Sequence, residues 1–338
     1  DRRNPSYKIA WIVLILAFPV AGITIYLLFG GNKASSRENR KMKRISRETL
    51  SSLPQEESVM RALMARPDAA CNHARYLANT SHYPIYDNSA AEYYHIGEDC
   101  FAQMCKDLEK AEHYIFLEYF IIDEGLMWGR ILEILARKAA QGVDVRVMYD
   151  GTCEFSTLPR DYPRRLEALG IRCKVFAPVT PFVSTHYNYR DHRKIMVIDG
   201  KVGFTGGYNL ADEYFNITHP YGYWKDTGVK LTGRAVQNFT MMFLEMWNVM
   251  GQADTDYEKY LKASQEGAED GNVQKASGYV QPYADSPLDG EPVGENVYLN
   301  LIKTAKKRLY VATPYLIISD EMTRELGLAA KRGVDVRG

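Results

Sequence analysis

A five-residue string occurs twice in the chain: Gly142-Val143-Asp144-Val145-Arg146 returns 191 positions later as Gly333-Val334-Asp335-Val336-Arg337. Its context returns with it. AEHYIFLEYFI followed by ILARKAAQGVDVRVMYD, near 111–150, parallels AKKRLYVATPYLI followed by ELGLAAKRGVDVRG, near 305–338. Each copy reads as an apolar strand, an amphipathic helix and a second strand. In the first, Ile131, Leu132, Leu135 and Ala139 recur at helical spacing between Trp128 and Ala140, and Gly142 closes the helix. Strand, helix and strand of these lengths form a βαβ unit, which implies a largely parallel sheet covered by helices. The spacing is too long for a solenoid and fits two copies of a domain. The second copy stops at its second strand and the chain starts at Asp1, so both ends are expected to be cut.

The next constraint is Ile9 to Gly30, IAWIVLILAFPVAGITIYLLFG, 22 residues without a charge. At about 1.5 Å per residue, one helix of this length covers the ~30 Å hydrocarbon layer. Pro19 and Gly22 are tolerated inside membrane helices, and Trp11 and Tyr26 are expected near the two interfaces. A signal peptide would have a shorter apolar part and a small-residue cleavage site. Arg2, Arg3 and Lys8 precede the run. Lys33, Arg37, Arg40, Lys41, Lys43, Arg44 and Arg47 come after it with a single acid among them. That excess predicts a cytoplasmic location for the chain beyond the apolar run, and an attraction to anionic head groups of about 1 kcal/mol per residue. The whole chain has no such bias, with 42 basic against 42 acidic side chains. Bulk affinity for polyanions is therefore excluded, and no nucleic acid partner is expected. Five cysteines without a CxxC pair read as free thiols in a reducing compartment.

The predicted organisation is a short flank at 1–8, a transmembrane helix at 9–30 and a basic juxtamembrane and linker region at 31–90. A first α/β domain at 91–255, a polar linker at 256–278 and the start of a second domain at 279–338 complete it.

The chemistry concentrates in HRKIMVIDGKVGFTGGYNLADEY, His192 to Tyr214. IMVID reads as a strand, so His192 and Lys194, two apart, are expected on one face. Asn209 follows Gly206-Gly207, whose missing side chains are expected to let a bulky group approach the backbone. An imidazole is a nucleophile or general base near neutral pH. A lysine charge and an asparagine amide beside it can hold phosphate oxygens and stabilise charge on them. Such a set needs no metal and no other cofactor. Asp199 faces the other way on a continuous strand, which fits a structural partner better than a substrate contact. Glu118 is costly inside the apolar run LEYF unless paired, so it either reaches His192 or Lys194 or sits in a buried ion pair. Asp226, in YWKDT, could orient an imidazole. His186, Tyr187 and Tyr189 are candidates to line an entrance.

His192-x-Lys194-x4-Asp199, followed by Gly206-Gly207 and Asn209, resembles the HKD motif of the phospholipase D superfamily. NPSYKIAW, LEYFII, FTGGYNLADEY and YWKDTGVKLTGRAVQ are similar to segments of bacterial cardiolipin synthases within it, although Lys225 stands where that pattern usually has arginine. The resemblance runs from Asn4 to Arg337. It implies a phospholipase D-like fold, a duplicated mixed sheet flanked by helices and preceded by the transmembrane helix. It implies catalytic roles for His192, Lys194 and Asp199, with substrate binding by Asn209, Gly206, Gly207, Glu118 and Asp226. The implied reaction transfers a phosphatidyl group between two phosphatidylglycerols at the cytoplasmic side of a bacterial plasma membrane, giving cardiolipin and glycerol through a phosphohistidine. The family joins two HKD motifs in one pocket, one histidine attacking phosphorus and the other moving protons. No second His-x-Lys follows Asn209, and His219 has Tyr221 two positions on. The missing half-site is expected beyond Gly338. Hydrolysis, as a phospholipase or nuclease, and an inactive fragment remain the alternatives.

Overall fold

The computed structural model describes residues 5–30, 36–66, 69–178, 190–265, 278–286 and 291–338. The chain divides into two compact units, one of residues 1–54 and 86–282, the other of residues 55–85 and 283–338. Residues 55–85 thus belong with the second unit, not with the juxtamembrane region expected over 31–90.

In the first unit the apolar run does not form the single helix expected over 9–30. It forms α1 (Pro5–Ala17) and α2 (Pro19–Phe29), broken at Phe18. Pro19 has no N–H to donate, and its ring disfavours helical backbone at the residue before it. Phe18 accordingly adopts φ −136° and ψ 77°. The helices fold back on each other. The Trp11 and Tyr26 rings meet edge-on at 5.3 Å, so they do not mark opposite interfaces. A Cβ on Gly22 would lie 2.7 Å from the Leu14 carbonyl oxygen, a contact only glycine allows. The helices rise about 20 and 17 Å. Among the described residues, no helix is long and apolar enough to cross a membrane.

After α3 (Ser36–Ser51) the chain passes through α4 (Glu57–Met64) and α5 (Ala69–Thr80) of the second unit and returns to the first. There β1 (Ser89–Tyr94) and α6 (Gly97–Leu108) lead into β2 (Tyr114–Tyr119), α7 (Leu126–Ala140) and β3 (Asp144–Asp150). Two short helices, α8 (Cys153–Ser156) and α9 (Tyr162–Ala168), precede β4 (Arg172–Phe176). Then come β5 (Lys194–Ile198), β6 (Val202–Gly206), β7 (Gly228–Gly233), α10 (Val236–Val249) and α11 (Tyr257–Gln265).

The seven strands form one sheet in the order β1-β7-β6-β5-β2-β3-β4. Strands β2, β3 and β4 are parallel, as the βαβ pattern predicts. The other pairings are antiparallel, so the sheet is mixed rather than largely parallel. Helices α6 and α7 cover one face with Met104, Leu108, Trp128, Ile131 and Leu135, against Ile115, Leu117, Val147 and Met196. The other face carries α10, where Phe243 stacks on Phe116 at 4.5 Å. Every residue of α10 from Val236 to Asn248 is buried, its polar ones included. Such a helix needs partners on all sides. Lys41 of α3 donates to the Val249 carbonyl, and Gln237 donates to Ser264 of α11. Helix α11, expected as linker, is thus part of the first unit. All five cysteines are free thiols.

The repeated string explains itself here. Arg146 lies opposite Phe116 in the β2–β3 pairing, its guanidinium 5.0 Å from that ring centroid. In the second unit α12 (Val293–Thr304) is followed by β8 (Arg308–Tyr310), α13 (Asp320–Lys331) and β9 (Asp335–Arg337). Strands β8 and β9 are parallel, with Arg337 opposite Tyr310 and 5.3 Å from its ring centroid. Leu309 and Val336 pack on a small core of Ile302, Ala329 and Val334. Sequence identity and side-chain arrangement are therefore duplicated together.

Candidate active site

The strand ends that carry the candidate residues gather at one end of the sheet. Tyr119 of β2 pairs with Lys194 of β5, Ile195 with Thr205 of β6, and Gly206 with Gly228 of β7. Asp150, the last residue of β3, is at the same end, outside the carboxyl ends of the parallel strands, where α/β sheets place ligands.

His192 stands just before β5, in a short turn held at three points. The Asp191 N–H donates to Asp150 Oδ2 at 3.0 Å, and the Arg193 N–H donates to Asp191 Oδ1 at 3.3 Å. Lys194 Nζ donates to the His192 carbonyl at 2.8 Å. The imidazole is exposed to solvent on one side and rests against Phe120 on the other, ring centroids 4.8 Å apart. The same phenyl ring carries the Lys194 ammonium at 5.4 Å. Phe120, just past β2, therefore contacts both the imidazole and the ammonium.

Partial burial and then the neighbouring Lys194 charge lower the His192 pKa; Asp191 and Asp150 oppose them. The ring is held neutral at neutral pH, the form that can attack an electrophile. Burial brings the Lys194 ammonium down to about 8, with Asp191 and Asp226 pulling the other way. The group is thus a cation short of water, looking for an anion.

Asp226 is the third member of this cluster. It accepts from Trp224 Nε1 at 3.1 Å and from the Thr227 N–H at 2.8 Å. Burial raises its pKa, and Lys194 acts against that. It is an electrostatic neighbour of Lys194 and makes no hydrogen bond to His192 among those described. Asn209 is buried, and its Oδ1 accepts from the Ile121 N–H at 3.1 Å. Its oxygen is committed to backbone, so any contact with a ligand falls to the NH2 end.

Two expectations need correction, and a third, left between two alternatives, is decided for the buried ion pair. Asp199 lies at the opposite end of β5, about 16 Å from Lys194 at ~3.3 Å per residue. Its carboxylate accepts the N–H groups of Glu112, His113 and Tyr114, each at 2.8 Å, and so anchors the start of β2 to the β5–β6 turn. It is a clamp, not a catalytic group. Gly206 and Gly207 make room for the protein itself. A Cβ would meet the Thr227 carbonyl at 2.5 Å in the first case and Asp226 Oδ1 at 2.4 Å in the second. Glu118 touches neither His192 nor Lys194. It faces the α10 side of the sheet with Arg193 Nη1 3.7 Å away. His186, Tyr187 and Tyr189 lie outside the described residues.

Sequence reading missed Phe120, Asp150 and Asp191. Asp191 adjoins His192, a signal available in the string. The roles of Phe120 and Asp150 depend on strand ends meeting in space. Among the described residues, no group of three His, Cys, Asp or Glu could hold a metal ion.

Residues 104–247 match the family described as "Cardiolipin synthase, PLD-like domain", and residues 2–31 the one described as "Phospholipase_D-nuclease N-terminal". An uncharacterised protein of Streptococcus mutans is 48% identical over 97% of this chain and 70% of its own length. Cardiolipin synthases of Alkalihalophilus pseudofirmus and Geobacillus thermodenitrificans are 33% and 34% identical over the whole chain, which spans 66% of either protein. Phosphatidylserine synthase of Haemophilus influenzae is similar in fold, with a TM-score of 0.51 over 78% of this chain and 64% of its own, at 14% identity.

Proposed function

The chain belongs to the cardiolipin synthase family of the phospholipase D superfamily, a family of phosphatidyltransferases, and we propose that it carries the His192 half of a site that joins two phosphatidylglycerols. The observation that carries this reading is the neutral imidazole of His192 beside the half-dehydrated ammonium of Lys194 on a shared phenyl ring.

In the first step a ring nitrogen of His192 attacks the phosphorus of one phosphatidylglycerol. An N–P bond forms, the P–O bond to the glycerol head group breaks, and glycerol leaves with a proton. In the second step the head-group hydroxyl of another phosphatidylglycerol attacks phosphorus. Its proton departs, the N–P bond breaks, and cardiolipin is released. Lys194 and the Asn209 amide stabilise the charge on the phosphate oxygens as it builds up. The reading assigns the proton transfers to a second imidazole–ammonium set belonging with the second repeat. It also holds the enzyme at the cytoplasmic face of a bacterial plasma membrane. The exposed apolar side chains Leu16, Val20 and Leu27 of α1 and α2, and the basic residues Arg40, Lys43 and Arg44 of α3, support that location.

The test is incubation of the full-length protein with phosphatidylglycerol vesicles. Cardiolipin and glycerol in equal amounts are the expected products. Phosphatidic acid without cardiolipin would assign water as the acceptor and overturn the transfer reading. The pH dependence is a second check. The Lys194 ammonium is present below about pH 8 and lost above it. Hence kcat/KM, which reports the free enzyme, is expected to fall as pH rises through about 8. Lys194→Arg, always charged, should remove that limb from whatever activity it retains. An unchanged alkaline limb in this variant would show that another group titrates there.

A further inference from the structure

Glu118 is fully buried near the end of β2, and neither of its carboxyl oxygens meets a hydrogen-bond donor among the described residues. Asp191, also buried, is in the same position at Oδ2. Three buried acceptor atoms without donors would be costly if both groups were ionised. The nearest cation offers an ion pair but no hydrogen bond. The Arg193 guanidinium is 3.7 Å from Glu118 Oε1, beyond hydrogen-bonding distance, and its Nη1 donates to the Met242 carbonyl. The Glu118 and Asp191 carboxyl groups interact directly, so one proton held between them supplies the missing donor.

The geometry points to Glu118 as that donor: we propose that a protonated Glu118 hydrogen-bonds the Asp191 carboxylate, and that this pair is the positioning device for His192. Asp191 is the link. Its Oδ1 spans His192 to accept the Arg193 N–H, and its own N–H is fixed by Asp150, while Oδ2 is left for Glu118. The imidazole is thus carried on a turn braced from the core of the sheet. The charges facing the pair are Arg193 from the same turn, Glu245 from α10 and Asp150 from β3. Two of these three are anionic and disfavour a second negative charge on the pair. Burial first, and then Asp191, push the Glu118 pKa well up, in keeping with the geometry.

The second repeat lacks this acid. Tyr114 pairs with Asp144 as Arg308 pairs with Asp335, and the residue four further along is Glu118 in the first copy and Ala312 in the second. Over the stretch the two copies share, the acid of the brace occurs only in the His192 half.

The role rests on the proposed part played by His192, but its test does not need turnover. The His192 imidazole titration is followed by NMR, assigned with His192→Ala, and the infrared carboxyl C=O stretch is recorded at neutral pH. Glu118→Gln keeps the donor and the neutral charge. It is expected to leave the His192 midpoint in place and to remove the protonated-carboxyl band. Glu118→Leu and Asp191→Asn remove the donor or the carboxylate. Asp191 raises the His192 pKa, so Asp191→Asn should lower the midpoint directly, and Glu118→Leu should lower it by leaving the buried Asp191 carboxylate without a donor and so favouring its neutral form. In the full-length protein, kcat/KM with phosphatidylglycerol vesicles should stay near wild type for Glu118→Gln and fall about tenfold to a hundredfold for Glu118→Leu, from misplacement of the imidazole. The proposal is overturned by the absence of a protonated-carboxyl band in the wild type. It is equally overturned if Glu118→Gln shifts the midpoint downward, because Glu118 would then be an anion paired with Arg193. Should Glu118→Leu not fold, the glutamine variant and the infrared band still decide.

Discussion

His192→Ala is expected to abolish lipid product formation by the full-length protein, with a loss on the order of a thousandfold or more. The substitution should leave the fold intact. The ring is exposed and packs against Phe120 alone among the described aromatic contacts, which is worth about 1 kcal/mol at most. The three bonds that hold the turn are made by Asp150, the Asp191 side chain and Lys194, and none uses the imidazole. Rate and stability should therefore separate. Product is measured from labelled phosphatidylglycerol, and thermal unfolding is recorded beside it. A variant with a wild-type melting curve that retains more than a tenth of the wild-type rate would remove His192 from the chemistry, whatever else occupies the site.

Arg146→Ala should have the largest effect on stability, a loss of about 3–5 kcal/mol, as when one partner is taken from a buried ion pair. Native proteins are stable by only about 5–15 kcal/mol, so much of the margin would go. The guanidinium is buried between β3 and the α10–α11 pair. Its Nη2 donates to Asp144 at 2.8 Å, to Asp254 at 2.6 Å and to the Tyr260 hydroxyl at 2.5 Å. The Phe116, Trp247 and Tyr260 rings lie around it at 5.0, 5.4 and 5.5 Å. Without it, Asp254 and Tyr260 lose the group that ties α11 to the sheet. Burial raises the Asp144 and Asp254 pKa values, but Arg146 with Arg172 at Asp144, and Tyr260 with Arg146 at Asp254, outweigh it and hold both below the usual aspartate range. A depressed carboxylate stabilises the fold above its unfolded pKa, and that contribution goes as pH falls through its folded pKa. The difference between wild type and variant should accordingly be full at neutral pH and shrink in acid. Denaturant midpoints with an unchanged m-value measure it. A difference under about 1 kcal/mol would show that the aromatic cage stands without its cation.

The sequence alone determined the βαβ elements and their duplication. Period and breaker residues are local signals, and the repeat compares the chain with itself, so βαβ in each half and the identity of the His192–Lys194 cluster were open to reading. It also marked Glu118 as an acid out of place. Side-chain destinations were not open to it. Asp199 is four residues past Ile195, yet the sheet sends it to the opposite end from His192, where three backbone N–H groups claim it. Gly206 and Gly207 carry the same letters whether a ligand or the neighbouring β7 comes close, and the pairing with Gly228 chose β7. Nor does hydropathy register direction: 22 apolar residues weigh the same in one helix or two, and the backbone limits at Phe18 and Pro19 turned the run back on itself. Phe120 and Asp150 come from separate segments, and only the alignment of strand ends brought them to the His192 turn. Composition and period act over a few residues, while a site is made where distant segments meet.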